Sequence, residues 1–139
     1  MSAINWSNVI TAEAKANMAR TDLVSALADI RWQHETGGLI LPDGTEVRTD
    51  RETRASITEA INSLNAGLMT EPVTWKMADG WSDLTGDTLA GIAAAVGAHV
   101  KTSFAAERVV SDQIAALSDV ARFDLQAAFN AALAGQGAS

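Results

Sequence analysis

Cysteine and tyrosine are absent from this chain of 139 residues, and only two histidines and two prolines occur. Without cysteine there are no disulfides, no thiolate metal sites and no cysteine nucleophile. Zinc needs about four ligands, usually with one pair closely spaced. His34 is followed by Glu35, but adjacent side chains on a helix diverge and chelate poorly. No Gly-x-Ser-x-Gly stretch and no Gly-rich phosphate loop is present, which removes the usual signatures of acyl transfer and nucleotide binding. Basic residues number 10 against 17 acidic ones, giving a net charge of −7. Nucleic-acid binding rests on clustered Lys and Arg, and here they are scattered. No unbroken apolar run approaches the roughly 20 residues of a membrane span, and Met1–Trp6 lacks the basic start and apolar core of a signal peptide. The expectation is a non-enzymatic protein with no metal, no cofactor, no nucleic-acid partner and no membrane span.

What is present is largely alanine-rich helix. Hydrophobic residues make up 47% of the chain and charged residues 19%, enough for a real core. Alanine is the best helix former but buries little area per residue, a composition that suits a chain completing its burial against another.

Along the chain, Ile4, Trp6, Val9 and Ile10 form an apolar lead-in, read as an arm over residues 1–10 that docks on a neighbour or on its own domain. A single α+β domain is expected over 11–134, and a polar tail over 135–139. Thr11 is placed to cap a first helix with Ala16, Leu23, Leu27, Ile30 and His34 on one face, stopped by Gly37-Gly38. Pro42-Asp43-Gly44 between β-prone runs predicts a hairpin. Thr49 and Glu52 have the spacing of a capping box for a second helix, whose apolar face is Ile57, Ile61, Leu64 and Leu68. Val73–Met77 and Trp81–Leu84 read as a second hairpin around Asp79-Gly80, with Val73, Trp75 and Met77 on one face. Two such hairpins are marginal alone, which predicts that they pair into one small antiparallel sheet. A long helix then runs from Gly86 to about Leu117, its seam including Val110, Ile114 and Leu117. A break at Ser118-Asp119 precedes a last helix from Val120 to about Leu133, with Phe123 and Phe129 as bulky contacts.

A nucleophile–base pair would have to join one of the two histidines to a serine or threonine. Asp79 and Asp83 are better explained by turn chemistry than by acid–base work. Trp75 and Trp81 are better explained as a pair stabilising the hairpin and capping the core than as a stacking platform. Arg51 and Arg54 fit an exposed helix face. The residues expected at an interface are Ile4, Trp6, Val9, Ile10, Val110, Ile114, Leu117, Phe123 and Phe129.

Five elements stand in a suggestive order: Arg31-Trp32 with Glu35-Thr36-Gly37-Gly38; the Pro-Asp-Gly hairpin with Thr49-Asp50-Arg51-Glu52-Thr53-Arg54-Ala55; Val73–Trp81 with Leu84-Thr85; Val96-Gly97-Ala98-His99-Val100; and Phe104-Ala105-Ala106-Glu107-Arg108. Over about residues 20–118 this pattern resembles domain of unknown function 4376, a family of tailed-bacteriophage and prophage proteins often encoded beside tail fibres. The resemblance brings no catalytic residues. It implies a virion tail component made in the bacterial host cytoplasm, with other phage tail proteins as partners and a homo-oligomer, a trimer by analogy with fibres. The absence of a long fibre region favours a tail-tip or fibre-attachment module; a fibre-assembly chaperone and a glycan-binding module through Trp75 and Trp81 are the alternatives.

Overall fold

The computed structural model describes residues 11–137, so the lead-in residues Ile4, Trp6, Val9 and Ile10 lie outside the described residues. Those described form an α+β fold of α1 (Ala12–Thr36), β1 (Leu39–Ile40), β2 (Glu46–Val47), α2 (Arg51–Asn65), β3 (Val73–Met77), β4 (Gly80–Leu84), α3 (Gly86–Ala115), a 3₁₀ turn at Val120–Arg122, and α4 (Leu125–Gln136). They divide into two compact units. One contains residues up to Ile30 and from Ala106 onward; the other is Arg31–Ala105. The described residues therefore carry two apolar cores; α3 contributes residues to each, and α1 only to that of the unit holding residues up to Ile30.

In the Arg31–Ala105 unit the core is built from Val47, Ile57, Ala60, Met77, Leu84, Leu89, Ile92 and Val96, with Ile61, Leu64 and Trp75 packed against it. The strand alternation is as the sequence predicts: Val73 and Met77 are buried, Thr74 and Lys76 exposed, Trp75 half-buried between them. The hairpins do not merge, however. β1 pairs only with β2 and β3 only with β4, giving two separate two-stranded sheets. Each hairpin meets the helices instead, so Val47, Met77 and Leu84 reach one apolar core without a shared ladder.

Local chemistry shifts several boundaries by one residue. Asp50, not Thr49, caps α2, its carboxylate accepting from the Thr53 backbone N–H at 3.0 Å and from the Thr53 hydroxyl at 2.6 Å. Thr49 is fully buried, and its hydroxyl accepts from the Gly38 N–H at 2.9 Å, so Thr49 and Glu52 make no capping box. Gly38 needs its glycine: φ is 96°, and a Cβ there would stand 3.3 Å from the Val47 carbonyl oxygen. In the second hairpin Met77 pairs with Gly80, which leaves Ala78-Asp79 as the two-residue loop. Gly80 opens β4 with φ 142° instead of sitting at the turn's centre beside Asp79. Trp75 lies opposite Ser82 and Trp81 opposite Lys76, so the two tryptophans point to opposite faces of the hairpin. They are not a pair, and Trp81 is 71% exposed.

The other unit packs Leu27 of α1, Ala106, Val110 and Ile114 of α3, and Phe129 and Ala132 of α4, with Leu117 and Phe123 against them. Of the residues expected at an interface, Val110, Ile114 and Phe129 are buried within the chain, Phe129 being the largest fully buried side chain among the described residues, while Leu117 and Phe123 are half-buried against them. The last helix starts later than predicted because Asp119 caps the 3₁₀ turn and Asp124 recaps α4 through the Ala127 N–H. Helix α4 also continues through Gly135 and Gln136, which were expected in a polar tail. By length and composition alone α3 is apolar enough to cross a membrane, although His99 and Lys101 interrupt its apolar run. Alanine and valine supply much of that character; Leu89, Ile92, Val96, Val110 and Ile114 lie in the two cores, whereas Phe104 is exposed.

Phe129→Ala is expected to cost about 3–5 kcal/mol, as for other buried aromatics. Leu68, assigned by periodicity to the α2 seam, is 82% exposed past the helix end, and Leu68→Ala should stay within about 0.5 kcal/mol of the parent. Urea denaturation of both variants tests the burial pattern; comparable losses would contradict it.

Candidate functional site

Within the Arg31–Ala105 unit, the densest polar chemistry gathers at the last turn of α1. Glu35 is 0% exposed. A bare buried carboxylate is costly, and it persists only when paired and hydrogen-bonded. Arg31, one turn earlier on the same helix, donates to Oε1 at 2.5 Å, and Arg54 from α2 donates to Oε2 at 2.7 Å. Arg51 stands 3.5 Å from Oε2. Burial pushes the Glu35 carboxyl up, but the hydrogen bonds from Arg54 and Arg31, and their charges, outweigh it and hold it below the ordinary carboxyl value. Arg54 also donates to the Thr49 carbonyl at 3.4 Å, and the Arg31 guanidinium lies 4.5 Å from the centre of the Phe104 ring. The carboxylate thus joins the end of α1 to the start of α2.

The two histidines meet beside it. The His34 and His99 rings stack at 4.5 Å between centroids. His34 Nδ1 lies 2.8 Å from Ser103 Oγ, Ser103 Oγ lies 2.8 Å from the His99 carbonyl, and His99 Nε2 lies 2.7 Å from the His34 carbonyl. The carbonyls fix the polarity, because a carbonyl oxygen only accepts. Ser103 donates its single hydroxyl proton to the His99 carbonyl, so His34 Nδ1–H donates to Ser103, and His99 Nε2–H donates to the His34 carbonyl. The sequence reading required a histidine beside a serine for nucleophilic catalysis, and the fold supplies that proximity. The proton runs the wrong way for it. A general base must accept from the nucleophile, whereas His34 donates to Ser103, which is itself 0% exposed. Burial first, and then the charge of His99, hold the His34 imidazole below the ordinary histidine value.

Among the described residues no group of three or more His, Asp and Glu is arranged to hold a metal ion. Among the recesses of this unit, one of about 720 Å³ runs along α2 past Arg51, Arg54, Thr58 and Asn62, one of about 460 Å³ is lined by Gly37, Gly38, Ile40, Arg48, Asp50 and Ala78, and one of about 240 Å³ lies between α2 and α3 at Arg54, Ile57, Ala93, Val96, Gly97 and Val100. Trp81 lies on the hairpin's outer face, with the Lys76 ammonium 5.7 Å from its ring centre and the Thr74–Asp83 hydrogen bond alongside. Trp75 lines the opposite side against the core, so a two-tryptophan glycan platform does not form.

Sequence reasoning missed Glu35 and gave Arg51 and Arg54 to an exposed helix face. Arg51 is 65% exposed and fits that reading, but Arg54 turns inward onto Glu35. The available signal was the Arg31–Glu35 spacing of four, which pairs side chains on one helical face. Asp79 lies in the two-residue loop, Gly80 opens β4, Thr49 accepts from the Gly38 N–H, and Glu52 lies in the first turn of α2.

A family model described as "Domain of unknown function (DUF4376)" matches residues 18–133, reaching into α4 beyond the span read from the motifs. Comparison with curated proteins and with solved structures gives no significant match.

Removing one partner of a buried ion pair strands the others, at about 3–5 kcal/mol. Glu35→Ala should fall in that range, whereas Arg51→Ala should cost less than about 1 kcal/mol; chemical denaturation measures both. Because the folded-state value of Glu35 is depressed, its contribution is complete above the ordinary carboxyl value of about 4.3. It is lost as pH falls from there through the depressed value, and Glu35→Ala should flatten that acid limb.

Proposed function

The chain belongs to the family of domain of unknown function 4376, and on that premise we propose that it is a non-enzymatic structural component of a tailed-bacteriophage virion. The position proposed is the tail tip or the attachment of a tail fibre. The observation that carries the non-enzymatic half is the closed polar cluster. Glu35 is bonded to Arg31 and Arg54, the Ser103 proton goes to a backbone carbonyl, and both imidazoles spend a ring N–H within the fold. Side chains used in this way hold backbone segments together. The phage half rests on the motif resemblance, which brings tail proteins as partners and the virion as the place of action.

Self-association is part of the reading, with a trimer as the expected state. The seam first assigned to it is consumed by the core at Val110, Ile114 and Phe129, so an oligomer has to use other surfaces. Trp32, Ile40 and Trp81 are among the exposed large hydrophobics.

Mass spectrometry of purified virions should find the chain at a fixed copy number per particle; absence from particles, with copurification of an unassembled fibre, would transfer the assignment to the assembly chaperone. Static light scattering of the isolated protein should give three times the chain mass of 14.5 kDa, and a monomer at micromolar concentration would remove the trimer.

A further inference from the structure

Helix α3 is long and apolar, yet only 28% of its most apolar 18 residues are buried within the chain. Leu89, Ile92 and Val96 turn into the core of the Arg31–Ala105 unit. The opposite face carries Ala90, Gly91, Ala94, Gly97 and Ala98, all of them exposed. A helix facing water turns charged and polar groups outward, but along this face none stands between Asp87 and Lys101. Glycine is also a poor residue inside a helix, and a Cβ at Gly91 or Gly97 would meet nothing within 4 Å. Packing inside the chain therefore requires neither glycine. We propose that this face pairs with the same face of a second copy, the two α3 helices crossing antiparallel about Ala94.

The placing of the charges identifies the occupant. Asp87, Ala94 and Lys101 follow one another at a spacing of seven residues, which drifts only about 20° around the helix per step. A two-fold axis at Ala94 sets Ala90 opposite Ala98, Gly91 opposite Gly97, and Asp87 opposite Lys101 of the other copy. Each charge then meets its opposite, and symmetry makes the match twice. A parallel pairing would set aspartate against aspartate and lysine against lysine, so it opposes itself. Among the described residues neither charge has an ion-pair partner within the chain. Alanine and glycine between them let the helices come close, since interaxial distance follows the side chains at the contact. A bilayer fits the face less well. The uncharged stretch from Thr88 to Val100 is 13 residues, about 20 Å of helix, against roughly 30 Å of hydrocarbon.

A two-fold contact cannot close a ring of three. The pairing therefore adds to the trimer reading and does not depend on it: it joins copies, or assemblies of copies, two by two. Its end charges lie at the surface, so added salt weakens it.

Carbodiimide cross-linking of the full-length protein, mixed from unlabelled and isotope-labelled chains, reads the contact directly. The reagent joins a touching carboxylate and amine as an amide and takes up the water lost. Within one helix Asp87 and Lys101 are 14 residues apart, about 21 Å, so their amide forms only between copies and should appear in peptides of mixed label. In sedimentation equilibrium Lys101→Glu and Asp87→Lys should each weaken pairing at least tenfold. The two variants mixed should pair within threefold of the wild type, because each then meets its opposite. Ala94→Glu sets two like charges at the axis and should also cost at least tenfold. All three positions are exposed, so the circular dichroism of each variant should match the parent; should Asp87→Lys not fold, Lys101→Glu and Ala94→Glu decide. Absence of the mixed-label amide overturns the contact, as do single variants that pair as tightly as the wild type; a trimer found there keeps the trimer reading on another surface. The amide in a protein of no more than two chains supports the contact and removes the trimer. Flotation with phosphatidylcholine vesicles, without the amide, gives the face to a bilayer and overturns the pairing.

Discussion

The fold of the Arg31–Ala105 unit turns on one buried carboxylate. Glu35 sits at full burial at the end of α1, where a lone charge could not be held, and two guanidinium groups make it tenable. That requirement fixes much around it. Arg31 must stand one turn back on α1. Arg54 must come from α2, which must therefore begin close by, and the Asp50 cap and the Thr49–Gly38 hydrogen bond set that start. The short hairpin β1–β2 is the connection that lets the chain leave α1 and return at α2. A two-residue ladder has little stability of its own; it is held because both of its ends are anchored.

The same turn of α1 carries the histidine ring, and the two clusters divide the labour. The ion cluster ties α1 to α2, and the imidazoles tie α1 to α3. Adjacent positions 34 and 35 diverge around the helix, and that divergence makes them a poor chelate while letting each address a different neighbouring element.

The proposed virion role rests on the motif resemblance, and the match over residues 18–133 shows the domain family alone. Within the Arg31–Ala105 unit, Glu35, Ser103 and the two imidazoles bond to neighbouring side chains and backbone carbonyls. Proximity of a histidine to a serine is not a catalytic arrangement by itself; the direction of the proton decides, and two backbone carbonyls set that direction here.

Element type and order were legible in the residues: helical faces of three- and four-residue spacing, alternation in Val73–Met77, caps at Thr11 and Asp119, and glycine at the helix stop all act over a few residues. Those local rules determined an α+β chain with two hairpins and a long third helix. Tertiary structure decided what local rules leave free. It kept the hairpins as separate sheets, buried Val110, Ile114 and Phe129 that patterning would equally give to a partner chain, turned Trp81 away from Trp75, and made Glu35 a core residue. The physical reason is common to all four. Periodicity says which side chains share a face, but burial is settled by what the rest of the chain places opposite that face.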